Sequence, residues 1–164
     1  MQEHCQALLA DAGYQHYEVS AYARPGRRCA HNLNYWRYGD YIGIGAGAHG
    51  KITMGATQQI LRRWKVKHPT AYLAAAGTAQ AIGGDDDITP ERRPFEFMLN
   101  ALRLQEGFAL ADFTATTGLP LASIAPALEQ ALQRGWLEVS DTHARPTALG
   151  RRFTNDVIEL FLDA

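Results

Sequence analysis

From Glu91 to Ala164 the apolar residues recur at helical spacing in separate stripes, each closed by a glycine or a turn, and that order leaves few folds open. Phe95, Met98, Leu99 and Leu102 form the first stripe, with Thr89-Pro90-Glu91 ahead of it as N-cap, N1 and N2. Leu110 to Thr117 predicts a short helix stopped by Gly118, and Leu121, Ile124, Leu128 and Leu132 predict another stopped by Gly135. Trp136 to Val139 and Ala144 to Thr147 flank a turn at Ser140-Asp141-Thr142, and Phe153, Val157, Leu160 and Phe161 share one face of a last helix. Helix, helix, turn, helix, hairpin, helix is the order of a winged-helix module. Its charge argues against reading DNA. Leu119 to Ala164 carries four basic and six acidic residues, and the helix that would enter a groove, Leu121 to Arg134, offers Arg134 as its one cation beside Glu129. A packing or lid role is expected.

The first half has another texture. Cys5, Leu8, Leu9 and Ala12 fall on one helical face, and Gly13 stops that helix. Tyr14 to Ala23 is rich in aromatic and β-branched residues and predicts a strand, so the chain opens as an α/β unit whose strand presents a parallel edge. Tyr41 to Gly50 places glycine or alanine at nearly every second position, which predicts a buried strand leading into a ligand-facing loop. Gly45-x-Gly47-x-x-Gly50 formally matches a dinucleotide fingerprint, but Lys51-Ile52-Thr53 is not a helix start, which argues against such a site. Ile60 to Val66 predicts a strand and Pro69 to Ala76 a helix. Residues 77–90, with glycines and the run Asp85 to Asp87, read as a linker between a domain at 1–76 and another at 91–164. Three consecutive carboxylates lack the spacing of a calcium loop.

A hydrophobic fraction of 46% is that of a globular protein with a core to bury. No apolar run reaches the roughly 20 residues of a membrane span, and the N-terminus has no secretory signal pattern. With Cys5 and Cys29 its only cysteines, the chain reads as a cytoplasmic protein of a reducing compartment. The net charge of −1 conceals an asymmetry: Arg24 to Lys67 holds nine basic residues against Asp40 alone, a local +8. This is either a solvated basic face or a site for anions such as carboxylates or phosphates.

Inside that basic segment lies His31-Asn32-Leu33-Asn34-Tyr35-Trp36, which crowds an imidazole, two carboxamides and two large aromatics into six residues after the Pro25-Gly26 turn. The mix suits a grip on a flat, partly polar ligand. Taken with Tyr17-Glu-Val-Ser20, Cys29-Ala-His-Asn32, Tyr35-Trp36, Gly39-Asp-Tyr41, Gly43-Ile-Gly45 and Ala48-His-Gly50, it resembles the C-terminal half of the radical-SAM, oxygen-independent coproporphyrinogen III oxidase-like family. Within the family the His-Asn-x-x-Tyr-Trp arrangement is similar to that of the HemW-type heme chaperones. The resemblance covers essentially the whole chain. It implies an α/β plus α+β fold: the C-terminal part of a partial (β/α) barrel with a heme-motif loop at 1–76, then a winged-helix-like accessory domain at 91–164.

The same resemblance implies a heme-binding chaperone that delivers heme to a respiratory protein, with a membrane-associated client among the candidates. His31 is then the candidate ligand to heme iron, with Cys29, Asn32, Tyr35, Trp36 and Arg37 around the heme. Neutral imidazole is a good axial ligand, and Arg27, Arg28 or Arg37 can pair with the propionates. Gly45, Gly47 and His49 form a secondary ligand-facing loop. Full-length members use a 4Fe-4S cluster and S-adenosylmethionine held through Cys-x3-Cys-x2-Cys. Cys5 and Cys29 cannot supply three thiolates, so this chain is expected to be a fragment without the first part of the barrel, and to hold no cluster and run no radical chemistry alone. At Ala21 the family commonly has Asn. The enzymatic alternative is an oxygen-independent coproporphyrinogen III dehydrogenase. Basic residues interleaved with Tyr35, Trp36, Tyr38 and Trp64 also fit a base-stacking surface, but the resemblance argues for no nucleic acid partner.

Overall fold

The computed structural model describes residues 2–55 and 57–162. The chain divides into two compact units, Met1–Tyr38 with Pro94–Ala164, and Gly39–Arg93. In chain order the first unit begins with α1 (Gln2–Asp11), β1 (Gln15–Glu18), β2 (Ala21–Ala23) and α2 (Ala30–Trp36). The stop at Gly13 follows the prediction, with φ at +80°. The apolar face of α1 does not become core: Leu8 is 57% exposed, and Cys5 is exposed too. Tyr14 to Ala23 corrects the single-strand reading. It folds back on itself, β1 pairing antiparallel with β2 through a bulge between His16 and Glu18. Tyr17, Ala23 and Leu104 form a small buried cluster, against which Ala21, Leu33 and Trp36 pack.

The second unit contains β3 (His49–Met54), β4 (Gln59–Lys65), α3 (Pro69–Ala75) and β5 (Ile82–Asp87), with the strands in the antiparallel order β3-β4-β5. Residues 77–90 are therefore not a linker. Asp85 and Asp86 lie in register with Arg63 and Arg62 on β4, and Gly83 and Gly84 sit against the Trp64 indole. A Cβ at Gly84 would fall 2.2 Å from Trp64 Cζ2, so these glycines make room for an aromatic on the neighbouring strand. Arg63 bonds Asp85 at 2.6 and 2.7 Å, and Arg92 bonds Asp86 at 3.0 and 3.1 Å. Hydrogen bonds from these guanidiniums hold both carboxyls below the usual aspartate range. A depressed folded pKa stabilises above the unfolded value and is lost as pH falls through the folded one. Thermal stability should thus decline as pH is lowered from about 4, with a smaller decline in 1 M salt, which screens exposed pairs; melting scans at several pH values check this.

The segment 41–48, expected as a buried strand, makes only the isolated bridge Tyr41↔Lys51, and Ile42 and Ile44 are 78% and 84% exposed. Gly43 serves close backbone approach, since a Cβ there would lie 2.2 Å from the His49 carbonyl oxygen, whereas Gly45 has nothing within 4 Å. Lys51 is buried and bonds Asp40 at 2.9 Å, while the Thr53 N–H donates to the same carboxylate at 2.8 Å.

The chain returns to the first unit along α4 (Arg93–Ala101), followed by β6 (Phe108–Ala109), α5 (Leu110–Thr117), α6 (Ala125–Gln133), β7 (Leu137–Val139), β8 (His143–Pro146), α7 (Ala148–Arg152) and α8 (Thr154–Glu159). The buried stripe of α4 is rotated from the predicted one. Phe97, Met98, Ala101 and Leu102 face the core, while Leu99 is 43% exposed. Phe97 meets Phe108 and Phe113 edge to face at centroid distances of 5.1 and 5.3 Å. Gly118, at φ +72°, caps α5 as its position predicts. The wing gains a third strand that two apolar letters do not announce: β6 pairs with β8, in the order β6-β8-β7. Leu132 and Phe153, assigned to buried stripes, are 49% and 43% exposed.

The compact units thus group the chain differently from the boundaries 1–76, 77–90 and 91–164. Residues before Gly39 associate with those after Arg93 because β1 is tied there. The Gln105 N–H donates to the Tyr17 carbonyl at 3.0 Å, the Val19 N–H to that of Arg103 at 3.1 Å, and Arg103 bonds Glu18 at 2.6 Å.

Candidate functional site

The stretch 31–36 is a helix, not a loop. Cys29 stands at its N-cap with extended backbone and exposed thiol, and Arg37 at its C-cap donates its N–H to the Leu33 carbonyl. Tyr38 ends it at φ +58°. Helical spacing sorts the motif onto two faces. His31 and Tyr35, four apart, meet edge to face at 4.6 Å with His31 exposed. Leu33 and Trp36 turn inward onto the cluster of Tyr17, Ala23 and Leu104. Asn32 is half-buried between the two faces.

Trp36 is held more firmly than its exposure suggests. The Arg103 guanidinium lies 4.3 Å from its ring centroid, and Tyr35 is at 6.4 Å. Its indole Nε1 is buried and has no hydrogen-bond partner among the described residues. The imidazole of His31 makes no hydrogen bond to any described residue and meets the Tyr35 ring.

Two of the arginines expected to meet propionates flank this helix on one shared carboxylate. Arg28 bonds Glu106 at 2.5 Å and Arg37 bonds its other oxygen at 3.3 Å. The hydrogen bond from Arg28 lowers the Glu106 carboxyl below the ordinary glutamate range, burial opposes this, and Arg37 adds to the lowering. Arg27 is exposed and forms no ion pair with the described residues. Glu106 was invisible as a site residue in the sequence, because it lies 78 residues from Arg28. A cavity of about 400 Å³ adjoins it, lined by Trp36, Arg37, Phe97, Leu104, Phe108 and His143 among others.

Gly45, Gly47 and His49 belong to the other unit. The Gly45 N–H donates to the Tyr72 hydroxyl at 3.1 Å, and Gly47 N–H to the Val66 carbonyl at 2.9 Å. His49 is exposed and stacks on Trp64 at 6.3 Å. Each has a local structural partner. Among the described residues no group of three or more His, Cys, Asp or Glu is arranged to hold a metal ion, and no helix is long and apolar enough to cross a membrane. Two exposed cysteines do not fit a cluster bound through three thiolates.

Comparison with known proteins bears on the family of the chain. Residues 88–153 match the HemN C-terminal domain family. The chain is 44% identical over 155 residues to the heme chaperone HemW of Escherichia coli (strain K12), covering 94% of this chain and 40% of that protein. It is 41% identical over the same length to the heme chaperone HemW of Haemophilus influenzae (strain ATCC 51907 / DSM 11121 / KW20 / Rd), covering 94% and 39%. Among solved structures, coproporphyrinogen III oxidase (HemN) from Escherichia coli, a radical SAM enzyme, superposes with a TM-score of 0.65 at 16% identity over 99% of this chain and 40% of that one. That likeness shows a shared mixed α/β fold with added helical elements. The chain spans about 40% of the length of the curated relatives it matches. A match to the C-terminal domain model, sequence identity along nearly the whole chain and a shared fold lead to one conclusion: this chain belongs to the HemW/HemN-like radical-SAM family and carries its C-terminal portion.

Proposed function

We propose that this chain is the heme-handling portion of a HemW-type heme chaperone, which delivers heme to a respiratory protein. His31 ligates the heme iron, and Tyr35, Asn32, Trp36, Cys29 and Arg37 border the bound heme. The observation that carries the reading is His31 itself: an exposed imidazole fixed against Tyr35, with no hydrogen bond from either ring nitrogen to a described residue, in a basic stretch. An axial ligand needs an accessible nitrogen lone pair, and heme propionates need cations nearby. The relatives named as heme chaperones support the assignment.

The 4Fe-4S cluster and S-adenosylmethionine of full-length family members are not part of the action proposed for these residues. The protein acts in the cytoplasm. His49, with Gly45 and Gly47, is a secondary ligand-facing element.

Titration with hemin tests the ligand. The native chain is expected to develop a Soret band of protein-bound heme, and His31→Ala is expected to shift it and weaken binding at least roughly tenfold, since even outer partners of metal ligands contribute that much. An unchanged spectrum and affinity in His31→Ala, with Cys29→Ala abolishing the band, would transfer the role to the thiolate.

A further inference from the structure

Two guanidiniums converging on one carboxylate from opposite ends of a helix form a carboxylate-recognition site, and here an internal side chain fills it. Arg28 reaches one Glu106 oxygen and Arg37 the other. All three groups remain partly open to solvent, at 35%, 57% and 43% side-chain exposure, so an incoming anion can reach them. Arg37 and Glu106 also line the 400 Å³ cavity, whose walls at Trp36, Phe97, Leu104 and Phe108 are aromatic or aliphatic. Trp36 adds a buried indole N–H that lacks an acceptor among the described residues. The lining also includes Asp112 and His143, so the hollow is of mixed polarity, and with Arg37 on its wall it suits a partly apolar molecule ending in a carboxylate.

We propose that Glu106 is a built-in stand-in for a ligand carboxylate: it occupies the Arg28–Arg37 clamp in the free protein and is displaced when a carboxylate of an apolar, planar ligand enters. The inference rests on the heme reading above, with a propionate as the incoming group. Displacement exchanges one charge-assisted pair for another, so Glu106 sets how strongly the site prefers a free propionate over an esterified one without providing iron ligation. A purely structural staple would behave differently, because its loss only loosens the helix.

Hemin and hemin dimethyl ester separate these cases, titrated against the native chain, Glu106→Gln and Arg37→Gln. Glu106→Gln keeps shape and hydrogen-bonding capacity while releasing the guanidiniums. It is expected to bind hemin roughly two- to fivefold more tightly, the equivalent of a partly exposed ion pair, and the diester no more tightly. Arg37→Gln is expected to lose affinity for hemin by a similar factor and by more than it loses for the diester. Equal or weaker hemin binding by a folded Glu106→Gln overturns the proposal. Should Glu106→Gln not fold, equal loss of both ligands in Arg37→Gln overturns it as well. Failure of iron ligation is read separately: a native Soret position retained in His31→Ala refutes the ligand assignment while leaving the propionate preference measurable.

Discussion

Gly107→Ala is expected to lower stability by about 3 kcal/mol, with a fall in melting temperature on the order of 10 °C. Two independent penalties meet at this residue. Gly107 adopts φ +72°, a left-handed conformation that costs an L-residue roughly 1–2 kcal/mol. A Cβ there would lie 2.0 Å from the Ala144 carbonyl oxygen and 2.6 Å from Arg145 Cα, both backbone atoms of β8. Relief of that contact requires β8 to move away from β6, which separates Phe108 from Ala144 in the ladder and disturbs the packing of Phe108 on Phe97. Gly13→Ala is the control. It has φ +80° but nothing within 4 Å of the added methyl, so it should lose only the conformational part, about 1 kcal/mol. Urea unfolding followed by circular dichroism measures both, and equal losses would remove the steric half of the argument.

Arg103→Met should cost about 3 kcal/mol, because it strands a carboxylate in the interior. Glu18 is 2% exposed, and Arg103 bonds it at 2.6 Å; the Ser20 hydroxyl, at 3.3 Å, is a weak remaining donor. The same guanidinium covers the face of Trp36, so its removal also uncovers the residue that anchors α2. Glu18→Leu combined with Arg103→Met removes both charges and should recover a large part of the loss, as replacement of a buried ion pair by apolar groups often does. Tryptophan fluorescence of the single variant should report the altered cover on Trp36. If the double variant is no more stable than Arg103→Met, packing on Trp36 and not the stranded charge carries the effect.

Local signals were readable where one short-range rule acted alone. Gly118 and Gly135 mark helix ends because the left-handed position at a helix terminus favours glycine, and both have positive φ. The strand at β4 and the helix at α3 lie where their patterns put them. Where a segment's identity depends on a distant neighbour, the pattern misled. Gly83-Gly84-Asp85-Asp86 has the composition of a linker, yet Trp64 needs the glycines' space and Arg63 and Arg92 need the carboxylates, so the segment is the third strand of a sheet. Tyr14 to Ala23 alternates like one strand, but a bulge and a turn inside it make a hairpin.

The site divides the same way. His31, Tyr35 and Trp36 stand out by residue type and spacing, and the resemblance they carry identified the family. Their three-dimensional separation into an exposed pair and an inward anchor follows from helix geometry that the stretch did not advertise.

By itself the sequence determined which chemistry is present: a histidine and aromatics suited to a flat ligand, a basic segment suited to its carboxylates, and too few thiolates for a cluster. Only the tertiary structure decided which groups face each other. Glu106 reaches Arg28 and Arg37 because the chain after α4 returns to hydrogen-bond β1, bringing positions 78 and 69 residues apart into contact, and no local pattern encodes such a pairing.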